Sequence, residues 1–145
     1  MSELYHARVL ELAAGLEHVG RLRAPEGTST KVSRVCGSTV TVDLTLDGDV
    51  ISDFAIEAQA CALGQAAAGV LAMRAIGATV AEVIAARDGL SAMLRQGAPA
   101  PTGRFWELRH LEGVRDYPAR HASTMLAFEA AVAAIEMARA KGVCA

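Results

Sequence analysis

Apolar residues near the start of the chain recur at steps of four and three: Tyr5, Val9, Leu12, Leu16 and Val19. This spacing predicts an amphipathic helix of about four to five turns within residues 1–20, closed by Gly20. Residues 21–30 (RLRAPEGTST) contain Pro, Gly and a Ser/Thr run without periodicity, and read as a surface connection. From Val40 the period changes to two. Val40, Val42, Leu44 and Leu46 alternate with Thr39, Thr41, Asp43 and Thr45, which is a strand with one wet face. Asp47-Gly48 suits a tight hairpin, and Val50, Phe54 and Ile56 continue as the returning strand. Lys31 to Cys36 reads as a further strand, which places the sheet within residues 31–59.

After Gln59 the helical period returns. Leu63, Ala66, Val70 and Met73 form one stripe closed by Gly77, and Thr79 with Glu82 is a capping box that opens a helix running to about Gln96. Gly97-Ala98-Pro99-Ala100-Pro101 cannot continue it. A short helix around Phe105 to Val114 follows, and Pro118 opens a last helix with Met125, Phe128, Val132 and Ile135 on one face. The order predicts one α+β domain over 1–145: an N-terminal helix, a three-stranded antiparallel sheet, and helices from residues 60–140 packed on one face of it.

Composition narrows the function classes. At 145 residues, 52% of them hydrophobic, the chain can bury a core without disulfide or metal support. Fourteen Lys and Arg against sixteen Asp and Glu give a net charge of −2 with no basic run, which argues against a nucleic-acid partner. The most apolar stretch, Ala60 to Met73, is interrupted by Gln65 and is too short to span a bilayer of about 30 Å. The start of the chain carries no secretion pattern, so a cytoplasmic location is expected. The three cysteines are then expected as reduced thiols. Abundant Ala suggests closely packed helices.

Two of those thiols lie at predicted element ends, Cys36 after a strand and Cys61 where a strand hands over to a helix. There the positive end of a helix dipole favours thiolate, metal binding or nucleophilicity. Burial as core cysteines is the competing reading. The histidines His6, His18 and His110 have no partners at ligand spacing, and Cys144 falls in the terminal tail. Asp43, Asp47, Asp49 and Asp53 read as solubilising charges of the hairpin. No Ser-His-Asp arrangement, phosphate-binding loop or dinucleotide fingerprint is present.

The residues Cys36-Gly37-Ser38, Ala60-Cys61-Ala62-Leu63 and Arg120-His121-Ala122-Ser123-Thr124-Met125-Leu126-Ala127, in this order and spacing, resemble the U-type iron–sulfur cluster assembly scaffolds, the NifU-like, IscU and SufU group. The resemblance runs from about Leu4 to Ala138. Family ligands fall at Cys36, Ser38, Cys61 and Ser123, so the family's Asp is Ser38 here and its third Cys is Ser123, while the Gly before the second Cys is Ala60. Hydroxyls bind soft metals far worse than thiolates. His121 is a substitute donor only if the helix has not begun, because two helical residues subtend about 200° and on a regular helix His121 and Ser123 cannot both face Cys36 and Cys61.

The resemblance implies a scaffold that binds iron, a nascent Fe–S cluster or zinc through Cys36 and Cys61, with Ser38, His121 and Ser123 lining the site. It further implies Cys61 as the acceptor of sulfur from a cysteine desulfurase, and a place among other iron–sulfur assembly proteins. A homodimer would double two thiolates to the four that a two-iron cluster needs. The alternative is a metal-free interaction module of the same machinery that kept the fold and lost the ligand set. No other enzymatic role is expected beyond thiol-based sulfur acceptance or transfer.

Overall fold

The computed structural model describes residues 5–34 and 37–144. Its elements are α1 (Ala7–Ala14), β1 (Gly27–Val32), β2 (Thr39–Asp47), β3 (Val50–Gln59), α2 (Ala62–Arg74), α3 (Val80–Gln96), a 3₁₀ segment Gly103–Asp116, a 3₁₀ turn Pro118–Arg120, and α4 (His121–Cys144). The strands make one antiparallel sheet in the order β1-β2-β3. Register pairs Val42 with Ile56 and Leu44 with Phe54, so one face is apolar. Helix α4 covers that face over β1 and β2, and α2 covers it over β3. This is the α+β arrangement that the change of period predicts. Among the described residues no helix is long and apolar enough to cross a membrane.

Small residues set the layer spacing. Ala66, Ala67, Ala68 and Ala72 of α2 and Ala127, Ala130, Ala131 and Ala134 of α4 are all buried, so α2 is surrounded on nearly every side. A Cβ on Gly69 would collide with the Leu12 carbonyl, which seats α1 on α2. A Cβ on Gly27 would collide with the Ala134 carbonyl, which seats β1 on α4. The α3 capping box is present in both directions: Thr79 Oγ1 accepts from the Glu82 amide at 3.0 Å, and Glu82 Oε1 accepts from the Thr79 amide at 2.9 Å.

Several sequence expectations change. Helix α1 ends at Ala14, not Gly20, with the Gly15 amide donating to the Glu11 carbonyl. Residues beyond it strap the edge of β3: the Ile56 amide donates to the His18 carbonyl and the Gly20 amide to the Ile56 carbonyl, each at 2.9 Å. Leu16 and Val19 keep helical spacing but serve this strap, and Val19 is exposed. Strand β1 begins at Gly27, inside the stretch read as a connection, and ends at Val32. It is an edge strand covered by α4 near Gly27, so its polar Thr-Ser-Thr run carries no hydrophobic alternation. After Val32 the chain turns, the Gly37 amide donating to the Ser33 carbonyl and the Ser33 amide to the Ser38 carbonyl, both at 2.8 Å. Of the expected strand Lys31 to Cys36, Ser33 and Arg34 are therefore not extended, while Val35 and Cys36 lie outside the described residues. Backbone helix continues to Cys144, where a tail was expected.

Asp43 is also not a solubilising charge. It is fully buried on the sheet face opposite the helices, where Arg21 donates to it at 2.7 and 3.1 Å, Thr28 Oγ1 at 2.6 Å and the Leu22 amide at 3.1 Å. Burial alone would raise its pKa, but the hydrogen bonds from Arg21, Thr28 and Leu22 outweigh it and hold the carboxyl below the ordinary range. A depressed folded-state pKa contributes stability above the unfolded value of about 3.9, and that contribution is lost as pH falls through the folded value. Urea titrations should therefore show wild type losing its advantage over Asp43→Asn below about pH 4. A pH-independent gap would mean that the ionised carboxylate contributes nothing.

Candidate functional site

Cys61 is the residue that caps the N-terminus of α2, with extended backbone (φ −64°, ψ 169°) and no side-chain capping bond. Its carbonyl starts the helix by accepting from the Gln65 amide at 2.8 Å. The thiol is half-buried, forms no disulfide among the described residues, and sits at the end of a helix whose first turn holds no acidic residue. The positive end of the helix dipole there is not neutralised by a first-turn carboxylate. Gln65, one turn on, has its Oε1 buried without a hydrogen-bond partner among the described residues.

Opposite the thiol stands Ser123, in the first turn of α4. Its Oγ lies 3.5 Å from Cys61 Sγ and 3.2 Å from the Arg120 carbonyl, which also accepts from Thr124 Oγ1 at 2.7 Å. Ser123 is 1% exposed, so its hydroxyl is directed to this pair rather than to solvent. A close approach of the backbones keeps the two side chains together. A Cβ on Gly64 would stand 2.9 Å from the Ser123 carbonyl oxygen, so α2 and α4 touch here without an intervening side chain.

Ser38 is buried at the entrance to β2. Because Thr39 pairs with Gln59, Ser38 and Cys61 belong to the same end of the sheet. Cys36 lies outside the described residues. His121 goes elsewhere: α4 has already begun at this residue, and Nε2 is 3.0 Å from the Val114 carbonyl and 3.2 Å from that of Arg115. The angular argument from the sequence anticipated that His121 and Ser123 diverge. His6 and His110 pair with each other and His18 meets the edge of Phe54, all away from Cys61. Among the described residues no group of three or more His, Cys, Asp and Glu side chains is placed to hold a metal ion. The chemistry assembled at this end of the sheet is that of a helix-capping thiol beside a buried hydroxyl.

A helix-flanked three-stranded sheet with a thiol at the strand-to-helix junction defines a class of small thiol-bearing α+β domains. Residues 4–145 match the family model described as NifU-like N terminal domain, and the chain belongs to that family. It is similar to the iron–sulfur cluster assembly scaffold protein IscU of Streptococcus pyogenes serotype M1, with 28% identity over 137 residues covering 94% of this chain and 85% of the relative. The IscU scaffold of Thermotoga maritima is 25% identical over 126 residues, covering 87% and 88%. The crystal structure of a nitrogen-fixing NifU-like protein (N-terminal) from Brucella abortus superposes with a TM-score of 0.95 at 47% identity, covering 97% of both chains.

Proposed function

We propose that this protein is a scaffold on which an iron–sulfur cluster is assembled, with the cluster as cargo held by Cys61 and Cys36. The observation that carries the reading is the Cys61–Ser123 pair, 3.5 Å apart at the α2 N-terminus, in a chain of this family. Support comes from the relatives named as IscU scaffolds over most of this chain. The half-buried position of Cys61 at the start of α2 leaves its sulfur within reach of a partner's sulfur donor. In that step Cys61 attacks the outer sulfur of a persulfide on a cysteine desulfurase, the S–S bond breaks, and the desulfurase thiolate leaves while Cys61 keeps the transferred sulfur atom. Ser123 and Ser38 line the site and contribute hydroxyls in place of stronger ligands. Two thiolates per chain make retention weak and favour a homodimer in which two copies supply four.

The test is anaerobic incubation with a cysteine desulfurase, cysteine and ferrous iron, followed by intact-mass measurement and visible absorption. The expected result is a mass gain of one sulfur atom on wild type, absent from Cys61→Ala, and visible absorption that grows with iron. Partner binding without sulfur gain or iron uptake would instead establish the metal-free interaction module, which the hydroxyls at Ser38 and Ser123 favour.

A further inference from the structure

The 3₁₀ segment Gly103–Asp116 turns Phe105, Leu108, Leu111 and Val114 into the core and leaves Trp106, the chain's one tryptophan, 37% exposed. Two guanidinium groups approach that ring, Arg109 at 5.3 Å and Arg74 at 6.0 Å from its centroid. Arg104 lies alongside, its Nε donating to the Arg74 carbonyl at 2.7 Å and its Nη2 to the Ile76 carbonyl at 3.0 Å, and Ile76 is itself 40% exposed. Among the described residues one carboxylate meets these charges, and it reaches Arg74 alone. Glu107 beneath them is buried and already bound by Arg8 at 2.6 Å, with Arg74 at 3.5 Å. Among the described residues neither Arg104 nor Arg109 has an ion-pair partner. Burial holds His110, next to Trp106, below the usual imidazole range, so the positive charge is carried by the arginines.

We propose that the surface formed by Trp106, Ile76, Arg74, Arg104 and Arg109 docks an acidic segment of a partner protein, with an apolar side chain of that segment against Trp106 and its carboxylates on the arginines. Trp and Arg are the residue types that dominate binding energy when an interface buries them, and Trp106 with two guanidinium groups near its ring offers both at one place. Charge complementarity selects the occupant. The protein as a whole carries −2, so this local excess of cations repels basic chains and attracts acidic ones without attracting polyanions over its whole surface. The patch lies at the C-terminal end of α2 and Cys61 at its N-terminal end, about 20 Å apart along the 13-residue helix. A partner docked on Trp106 therefore leaves Cys61 free, and this surface stands whether or not the Cys61 end handles a cluster.

Trp106 reports on its own environment by fluorescence. The probe is a short peptide of Glu and Asp with one Leu, titrated into the full chain at low salt. The expected result is a saturable blue shift that weakens as salt rises and whose midpoint moves by about tenfold or more in Arg109→Glu. Among the described residues the Arg109 side chain makes no hydrogen bond whose loss would unfold the segment, and circular dichroism checks that the variant keeps its helices. Alkylation of Cys61 should proceed at the same rate with the peptide bound. Three outcomes overturn the proposal: no saturable shift, an equal shift with a peptide carrying Lys in place of the acids, or a stronger shift with a single-stranded oligonucleotide.

Discussion

Replacing Ser123 by Cys together with Ser38 by Asp should raise cluster retention in the reconstituted protein by about tenfold or more, a difference of about 1.4 kcal/mol. The hydroxyl of Ser123 already stands 3.5 Å from the Cys61 sulfur and is buried, so a thiol there needs no new backbone path to share a metal with Cys61. A hydroxyl does not ionise near neutrality and binds soft metals poorly, whereas a thiolate is the preferred ligand and a carboxylate adds charge. Retention is read as the rate at which a chelator strips iron from wild type and from the double variant. Equal rates would mean that neither position faces the bound metal.

The largest loss of stability is expected from Phe128→Ala. Phe128 is fully buried in α4 and meets Phe105 edge-on, with ring centroids 5.5 Å apart. This ring contact ties the buried face of the 3₁₀ segment to the helix carrying Ser123, beside the bonds of His121 to the Val114 and Arg115 carbonyls. Removing a buried Phe costs about 3–5 kcal/mol through lost transfer energy and the cavity left behind. In a domain of this size that is a fall in Tm of roughly 6–20 °C. Trp106→Ala, on the same segment but facing outward, should cost far less. Comparable losses for both, measured by chemical denaturation followed by circular dichroism, would contradict the packing described for this segment.

How much of this was legible beforehand depended on whether a residue's role showed in local periodicity. The β2–β3 hairpin, the α3 capping box and the apolar face of α4 were readable, because each follows from spacing that a short window contains. The end of α1 was not, because Leu16 and Val19 have helical spacing yet their segment bonds to β3, a contact with Ile56 far along the chain. Strand β1 was displaced because an edge strand held by Gly27 under α4 needs no alternating hydrophobics. Asp43 looked like a surface charge, since nothing local marks Arg21, Leu22 and Thr28 as its partners.

At the site, Cys61 and Ser123 were brought together by the resemblance to the scaffold family, and the structure puts them within 3.5 Å of each other. Their common cause was hidden. Gly64 against the Ser123 carbonyl decides how near α2 and α4 come, and a lone Gly in a helical run looks like a weak position until its neighbour is known. The divergence of His121 from Ser123 was foreseeable from helix geometry alone, given only that α4 starts by His121. Trp106 and its arginines carried no recognisable motif and emerge only when the turn of the 3₁₀ segment sets Trp106 outward beside Arg74 of α2.

The central claim is that the Cys61 end of the sheet holds an iron–sulfur cluster in transit. Reconstitution of wild type and Cys61→Ala with ferrous iron and sulfide without oxygen, with iron and sulfide counted per chain and helicity checked in both, addresses it without any partner protein. Bound iron and sulfide in wild type, and their loss from a still-folded Cys61→Ala, is the predicted result. Equal iron and sulfide in the two proteins, or none in either, would contradict it.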